Sequence, residues 1–257
     1  MSPTAQVIRH GHGSGRHVDR DGTTLTTVAP GSSPTRRVGA AFVTVSAGRQ
    51  IDPRADDRAE QLLYVIAGHG HLLLGDRRPA AIGPGHAFAA HAGVSHAVRA
   101  SAEADLRVLR ITAPSGEAAV PRGEAAAGTA AGADAAALVL ASEQPAEYCP
   151  GYGHVTTLAA NVTRRFMFMF VDAAPDEVSP RHLHRVLDEM FIVLSGTAVV
   201  SAGQVLHVVG AGDTVVVPAN TAHNLRAGPD GVRYVGLHAG DDPSDPDFHP
   251  VADGFTA

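Results

Sequence analysis

Pro180-Arg181-His182-Leu183-His184-Arg185-Val186-Leu187-Asp188-Glu189, running on into Met190-Phe191-Ile192-Val193-Leu194 and Gly196, is the stretch that decides how this chain is read. Two imidazoles stand two residues apart, a carboxylate follows, and a third imidazole, His223, comes from a later segment. In an extended strand successive side chains alternate between faces, so His182 and His184 share one and both reach a single ion. In a helix the same pair diverges. Pro180, with Val178 and Val186 nearby, argues for extended chain, and Glu189 opens an apolar run that reads as the next strand. Three His and one Glu form a mixed nitrogen and oxygen set, suited to Fe, Mn, Ni, Cu or Zn and poorly suited to Ca or Mg.

His182-x-His184, four residues, Glu189, six residues, Gly196 resembles the first signature motif of the cupin superfamily. Gly212, five residues, Pro218 and then His223 resembles the second. Asn220 stands where cupins usually carry Gly, and Ala227 where a further Asn is common; neither departure removes a ligand. The resemblance implies one divalent transition metal per chain, held by His182, His184, Glu189 and His223. Iron is the first choice, with Mn, Ni, Cu or Zn as alternatives.

Composition narrows the rest. A chain of 257 residues is long enough for one large or two ordinary domains with a substantial core. Its net charge of −6, with no basic cluster, offers nothing to nucleic acid. All 20 basic residues are Arg, so a lysine Schiff base is excluded. Cys149 is the only cysteine, so no intrachain disulfide forms. No apolar leader segment occupies Met1 to Gly15 and no run of 18 apolar residues occurs, so a cytoplasmic, membrane-free setting is expected.

The sequence also repeats. At a shift of 128 residues Thr35-Arg36-Arg37 matches Thr163-Arg164-Arg165, Phe42 matches Phe170 and Gly68 matches Gly196. At a shift of 127, Gly85 pairs with Gly212, Gly93 with Asn220 and His96 with His223. A unit this long reads as a duplicated domain rather than a solenoid. Within each copy, short apolar runs such as Phe166–Val171, Thr214–Val217 and Val232–Leu237 lie between Gly, Pro and Asp turns, the pattern of a sandwich or small barrel. The resemblance makes this a bicupin: all-β, two tandem double-stranded β-helix (jelly-roll, cupin) barrels. The expected layout is a flexible Gly/His-rich leader over 1–19 and an N-terminal cupin over 20–112. An Ala/Gly/Pro-rich linker over 113–152 follows, with a short helix near Asp134 to Ala141. The C-terminal cupin spans 153–238 and a tail 239–257.

Phe166-Met167-Phe168-Met169-Phe170 is apolar at every position, so both faces of that strand are expected to be buried, the outer one against the other cupin or a second subunit. A homodimer is one such arrangement.

Projected through the repeat, His182 falls on Arg54, His184 on Asp56, Glu189 on Gln61 and His223 on His96. Arg cannot ligate a cation and Gln is a weak ligand, so the N-terminal half reads as degenerate and metal-free. His69, His71, His86 and His91 read as surface or core histidines, and His10 and His12 as part of the leader.

A metal held by four protein groups keeps one or two positions open when five- or six-coordinate, which marks a catalytic rather than a closed site. Strand alternation puts Glu189, Phe191 and Val193 on one face, with Leu225 at the parity of His223. A mainly apolar pocket favours a small apolar or aromatic substrate that chelates through oxygen. Arg164 or Arg165 enters beside it, as a grip for a carboxylate or enolate or simply facing solvent; Tyr234 and His238 share a face and are candidates for supporting or proton-transfer roles. Three functions follow. The favoured one resembles the quercetinase-like dioxygenases, with O2 as co-substrate and Glu189 as a ligand that can act as base. The second is a non-redox isomerase, lyase, cyclase or hydrolase, and the third a non-catalytic small-molecule-binding cupin.

Overall fold

The computed structural model describes residues 5–8, 16–18, 23–29, 38–51, 55–114, 136–140, 144–158, 165–240 and 247–252. Among them there is no helix, and so none long and apolar enough to cross a membrane. The first half of the chain supplies β1 (Gln6–Ile8), β2 (Arg16–Val18), β3 (Thr23–Ala29), β4 (Gly39–Val45), β5 (Ala59–Ala67), β6 (Gly70–Leu74), β7 (Ala80–Ile82), β8 (His86–Ala90), β9 (His96–Ala100) and β10 (Leu106–Pro114). The second supplies β11 (Ala136–Leu140), β12 (Glu147–Cys149), β13 (Gly153–Leu158), β14 (Phe166–Ala173), β15 (His182–Leu183), β16 (Asp188–Ala202), β17 (Val205–Gly210), β18 (Thr214–Val217), β19 (His223–Ala239) and β20 (His249–Pro250).

In the N-terminal half a seven-stranded sheet, β11-β8-β5-β10-β4-β3-β2, faces a three-stranded one, β7-β6-β9. Alternate residues of both, among them Val43, Leu63, Phe88 and Val108 from the first and Leu72, Ile82 and Val98 from the second, fill the space between them. The C-terminal half achieves the same layering with one sheet. Its long strands β16 and β19 pair along most of their length, with register shifts between Val193/Ser195 and Gly196/Ala198. Such irregularities bend a strand, and here they mark the corner. Before it β16 pairs with β18, and beyond it with β17. Phe191, Val193, Val200, Val215, Leu225 and Tyr234 pack in the interior.

The duplication is visible in equivalent hydrogen bonds. Gly85 N donates to Val65 O as Gly212 N does to Val193 O, and Gly93 N to Asp56 O as Asn220 N does to His184 O. Gly68 and Gly196, both at positive φ, are also equivalent: a Cβ on either would collide with a facing carbonyl, of Asp105 or Gly231.

The two halves share a core. Phe166 and Phe168 of β14, with Met190, Ile192, Val235 and Leu237, pack against Phe42, Leu62, Tyr64, Leu109 and Ile111. Tyr64 lies 5.9 Å from Phe168 and 5.6 Å from Phe170, ring to ring. Met169 packs into the C-terminal interior instead. The unbroken apolar run of β14 therefore has one face in its own half and the other against the N-terminal half.

Segments read as connectors contribute strands. The helix expected near Asp134 to Ala141 is instead β11, antiparallel to β8 of the N-terminal half. From the segment read as a flexible leader, β1 pairs with β18 of the C-terminal half and β2 with β3. The linker also yields β12, paired with β13, and the tail yields β20, paired with β15. Each half thus carries an edge strand drawn from outside its own sequence block.

Candidate metal centre

β15 and the turn after it carry His182 and His184, the start of β16 carries Glu189, and the start of β19 carries His223. His182 and His223 are cross-strand partners. One ligand atom from each of the four side chains lies within 4.8 Å of the others, and all four residues are buried. Glu189 Oε2 is the focus: His223 Nε2 is 2.6 Å away, His184 Nε2 3.2 Å and His182 Nε2 3.8 Å.

The opposite ring nitrogens are committed elsewhere. His182 Nδ1 donates to Pro180 O at 2.8 Å, His184 Nδ1 to Asp247 O at 3.1 Å and His223 Nδ1 to Thr221 O at 2.7 Å. A carbonyl only accepts, so each Nδ1 carries a hydrogen and Nε2 is the atom turned to Glu189; a ring whose Nε2 gives up its proton offers a lone pair there. Three such nitrogens and a carboxylate oxygen converge within 4.8 Å of one another, the arrangement a metal ion needs. The donor set therefore fits a divalent transition metal, and the backbone carbonyls supply the outer support that metal-bound imidazoles require.

Electrostatics agree. Burial pushes His182 down to about 4, against the pull of Glu189. For His184 burial also acts downward, but the hydrogen bond and charge of Glu189 outweigh it and raise the value. Burial by itself would raise Glu189; His238, His223 and the hydrogen bonds from His184 and His223 overcome that and hold its carboxyl well below the usual range. Glu189 is therefore ionised.

Asn220, the departure from glycine in the second motif, takes the left-handed conformation with φ 63°. Its backbone N–H donates to His184 O at 2.6 Å and its Nδ2 to Arg185 O at 3.0 Å, tying the turn to the ligand loop.

Around the cluster, Phe191 lies 5.9 Å from His223 and 5.7 Å from Tyr234, ring to ring. Val193 and Leu225 belong to the same interior. His238 Nε2 sits 3.3 Å from Glu189 Oε1, the oxygen turned away from the three ligand imidazoles, while its Nδ1 is buried with no hydrogen-bond partner. Tyr234 is fully buried, which with the nearby Glu189 charge raises its pKa. Arg165 immediately precedes β14, where its carbonyl accepts from Gly240 N. Arg164 lies outside the described residues.

Three site residues were not anticipated. Tyr152 Oη is 3.4 Å from His182 Nδ1, and Phe248 stacks on His182 at 4.3 Å with rings inclined by 23°. Asp247 supplies the carbonyl that holds His184. They fall in segments read as linker and tail, and only Gly151-Tyr152-Gly153, a turn signature beside an aromatic, hinted at any of them.

In the N-terminal half no comparable cluster forms among the described residues. His96 Nδ1 donates to Val94 O and its ring packs on Phe88, while Asp56 Oδ1 accepts from Arg58 N. His91 pairs with Glu60 at 3.3 Å. Arg54 lies outside the described residues.

Comparison with known proteins bears on the fold. Residues 169–235 match the family model of the Cupin domain. No curated protein matches the sequence. Among solved structures, a protein from Pseudomonas aeruginosa described as glyoxylate-induced superposes with a TM-score of 0.74 at 20% identity, covering 99% of this chain and 91% of that one. Oxalate decarboxylase from Lactobacillus farciminis, in a formate complex, gives 0.72 at 13%, covering 94% and 87%. The coconut allergen cocosin gives 0.70 at 11%, covering 93% and 86%. The class is thereby defined: an all-β chain of cupin jelly-roll fold with a buried cluster of three histidines and one glutamate that could hold a metal. At these identities the likeness speaks for the fold alone.

Proposed function

We propose that this protein is a metal-dependent enzyme with one active centre, in its C-terminal half, and that its reaction is a dioxygenation of a small apolar or aromatic compound chelating through oxygen. The observation that carries the metal is the convergence of three Nε2 atoms, on rings fixed through Nδ1 to the backbone, at Glu189 Oε2. His182, His184, Glu189 and His223 would hold the ion, which supplies Lewis acidity and, if redox-active, access to O2. Phe191, Val193, Leu225 and Tyr234 form the apolar side of the site, favouring an aromatic or aliphatic body over a phosphate or sugar. Glu189 is ionised, and its Oε1, next to His238 Nε2, is the oxygen positioned to take a substrate proton and pass it to that ring. Tyr234 stays protonated, which suits it to donate a hydrogen bond rather than to act as a base. Arg165 is placed by sequence at the entry to β14, and a grip on an anionic substrate group remains part of the proposal for it.

One observation favours a second, non-redox reading, an isomerase, lyase, cyclase or hydrolase. The Glu189–His238 pair is the arrangement a proton shuttle needs, and it works with a metal that exchanges no electrons. A cytoplasmic setting and a homodimer belong to the same proposal, the former supported by the lone Cys149.

Elemental mass spectrometry on protein purified without added metal or chelator separates these readings. About one Fe, Mn or Cu per chain, with O2 uptake on catechol- or enol-type substrates, is the expected result. One Zn per chain without O2 uptake moves the assignment to the non-redox class, and no metal above background overturns both.

A further inference from the structure

We infer that the C-terminal strap formed by residues 247–251 is a built-in part of this metal centre, with Asp247 as its positioning residue; the inference rests on the metal reading above. Asp247 touches the ligand segment in two ways at once. Its main-chain carbonyl accepts from His184 Nδ1 at 3.1 Å and so decides which nitrogen of that ring faces Glu189. Its carboxylate accepts from Val186 N at 2.6 Å and Leu187 N at 3.2 Å, the amides of the turn joining His184 to Glu189. A third contact comes from His249 Nε2 at 3.0 Å, and the side chain is 7% exposed.

This attachment overrides a backbone cost. Asp247 has φ 35°, outside the regions an L-residue prefers, and such a conformation persists only where surrounding contacts fix it. Those contacts continue on both sides. Phe248 lies over His182, and β20 runs antiparallel to β15, with His182 opposite Pro250 and Leu183 opposite His249. Val251 N then donates to Arg181 O at 3.0 Å. One short segment thus supports both imidazoles of the first motif, the ring plane of one and the tautomer of the other. No other described residue contacts His184 Nδ1 by hydrogen bond.

The consequence is reciprocal. A strap that raises metal affinity by a given factor must itself be held down by the metal by the same factor. The test uses the full chain and cobalt(II) as probe. Affinity is measured by chelator competition for the wild type, Asp247→Ala, Asp247→Asn and Phe248→Ala, alongside hydrogen exchange with and without cobalt. Asp247→Ala should weaken cobalt binding by about 10–100-fold, the cost typical of losing an outer support to a metal-bound histidine. Asp247→Asn, which tolerates positive φ and keeps one acceptor oxygen, should fall between. The Val186 and Leu187 amides should exchange faster in Asp247→Ala. Cobalt should slow exchange at 249–251 in the wild type and not in His184→Ala, a readout that a purely structural tail would not give.

Wild-type affinity in Asp247→Ala, or exchange at 249–251 indifferent to cobalt in the unmodified chain, overturns the strap's role while leaving the centre intact. If Asp247→Ala fails to fold, Phe248→Ala and the wild-type exchange decide. Failure of the wild type itself to bind cobalt sinks the metal reading, and this inference with it.

Discussion

Each ligand imidazole faces Glu189 with its Nε2 because its other nitrogen is already tied to a backbone carbonyl. His182→Ala, His184→Ala and His223→Ala should therefore each abolish metal content and activity yet leave the far-ultraviolet circular dichroism unchanged. Arg54→Ala and Gln61→Ala should leave metal content as it is. Affinity should also depend on pH with a definite sign. The raised pKa of His184 means that its proton leaves late, and metal binding must displace it. Cobalt affinity should thus begin to fall on acidification above the ordinary histidine range near pH 6.5, which a titration series from pH 8 to pH 6 would show. The ligands were legible in the sequence because two lie two residues apart on extended chain, and spacing is a local property. Asp247, 63 residues from the ring it orients, leaves no such mark. Phe248 and Tyr152 are likewise isolated aromatics, placed by tertiary contacts that no periodicity encodes.

At the scale of elements, the turn through Asn220 and the strand β11 show what propensity can and cannot tell. Asn is among the few L-residues that enter the left-handed region readily, so it serves in place of glycine and adds a hydrogen bond to Arg185 O. Asn220→Gly should cost less than about 1 kcal/mol, whereas a β-branched valine should cost about 1–2 kcal/mol or more from φ alone. Urea midpoints at unchanged m-value would measure both. The Ala/Leu composition around β11 favours helix, but five residues are too few for helix to form without tertiary help. The edge of β8 offered pairing instead, and pairing decided the outcome. The run of β14 was readable for the opposite reason: an absence of alternation points to burial on both faces, and its residues are buried or half-buried from Phe166 to Val171.

For the molecule as a whole, the duplication was evident from glycine and histidine positions, while the attachment of one half to the other was not. That attachment is a continuous apolar core centred on Phe168, which is fully buried between the halves. Phe168→Ala should cost about 3–5 kcal/mol and lower the stability of both halves together in a single transition. Calorimetry resolving two transitions, one at the wild-type temperature, would show the halves to be independent. The exchanged edge strands add a constraint of a different kind, one of timing. β1 finds its partner only at Thr214–Val216, so it leaves the ribosome long before the edge it must cover exists. Until then it is an orphan, and the C-terminal sheet, once made, exposes the backbone of β18 until β1 arrives. Synthesis from one end to the other can therefore finish the N-terminal sheet once β11 has emerged, whereas the C-terminal sheet is complete only when a strand from the opposite end of the sequence returns to it.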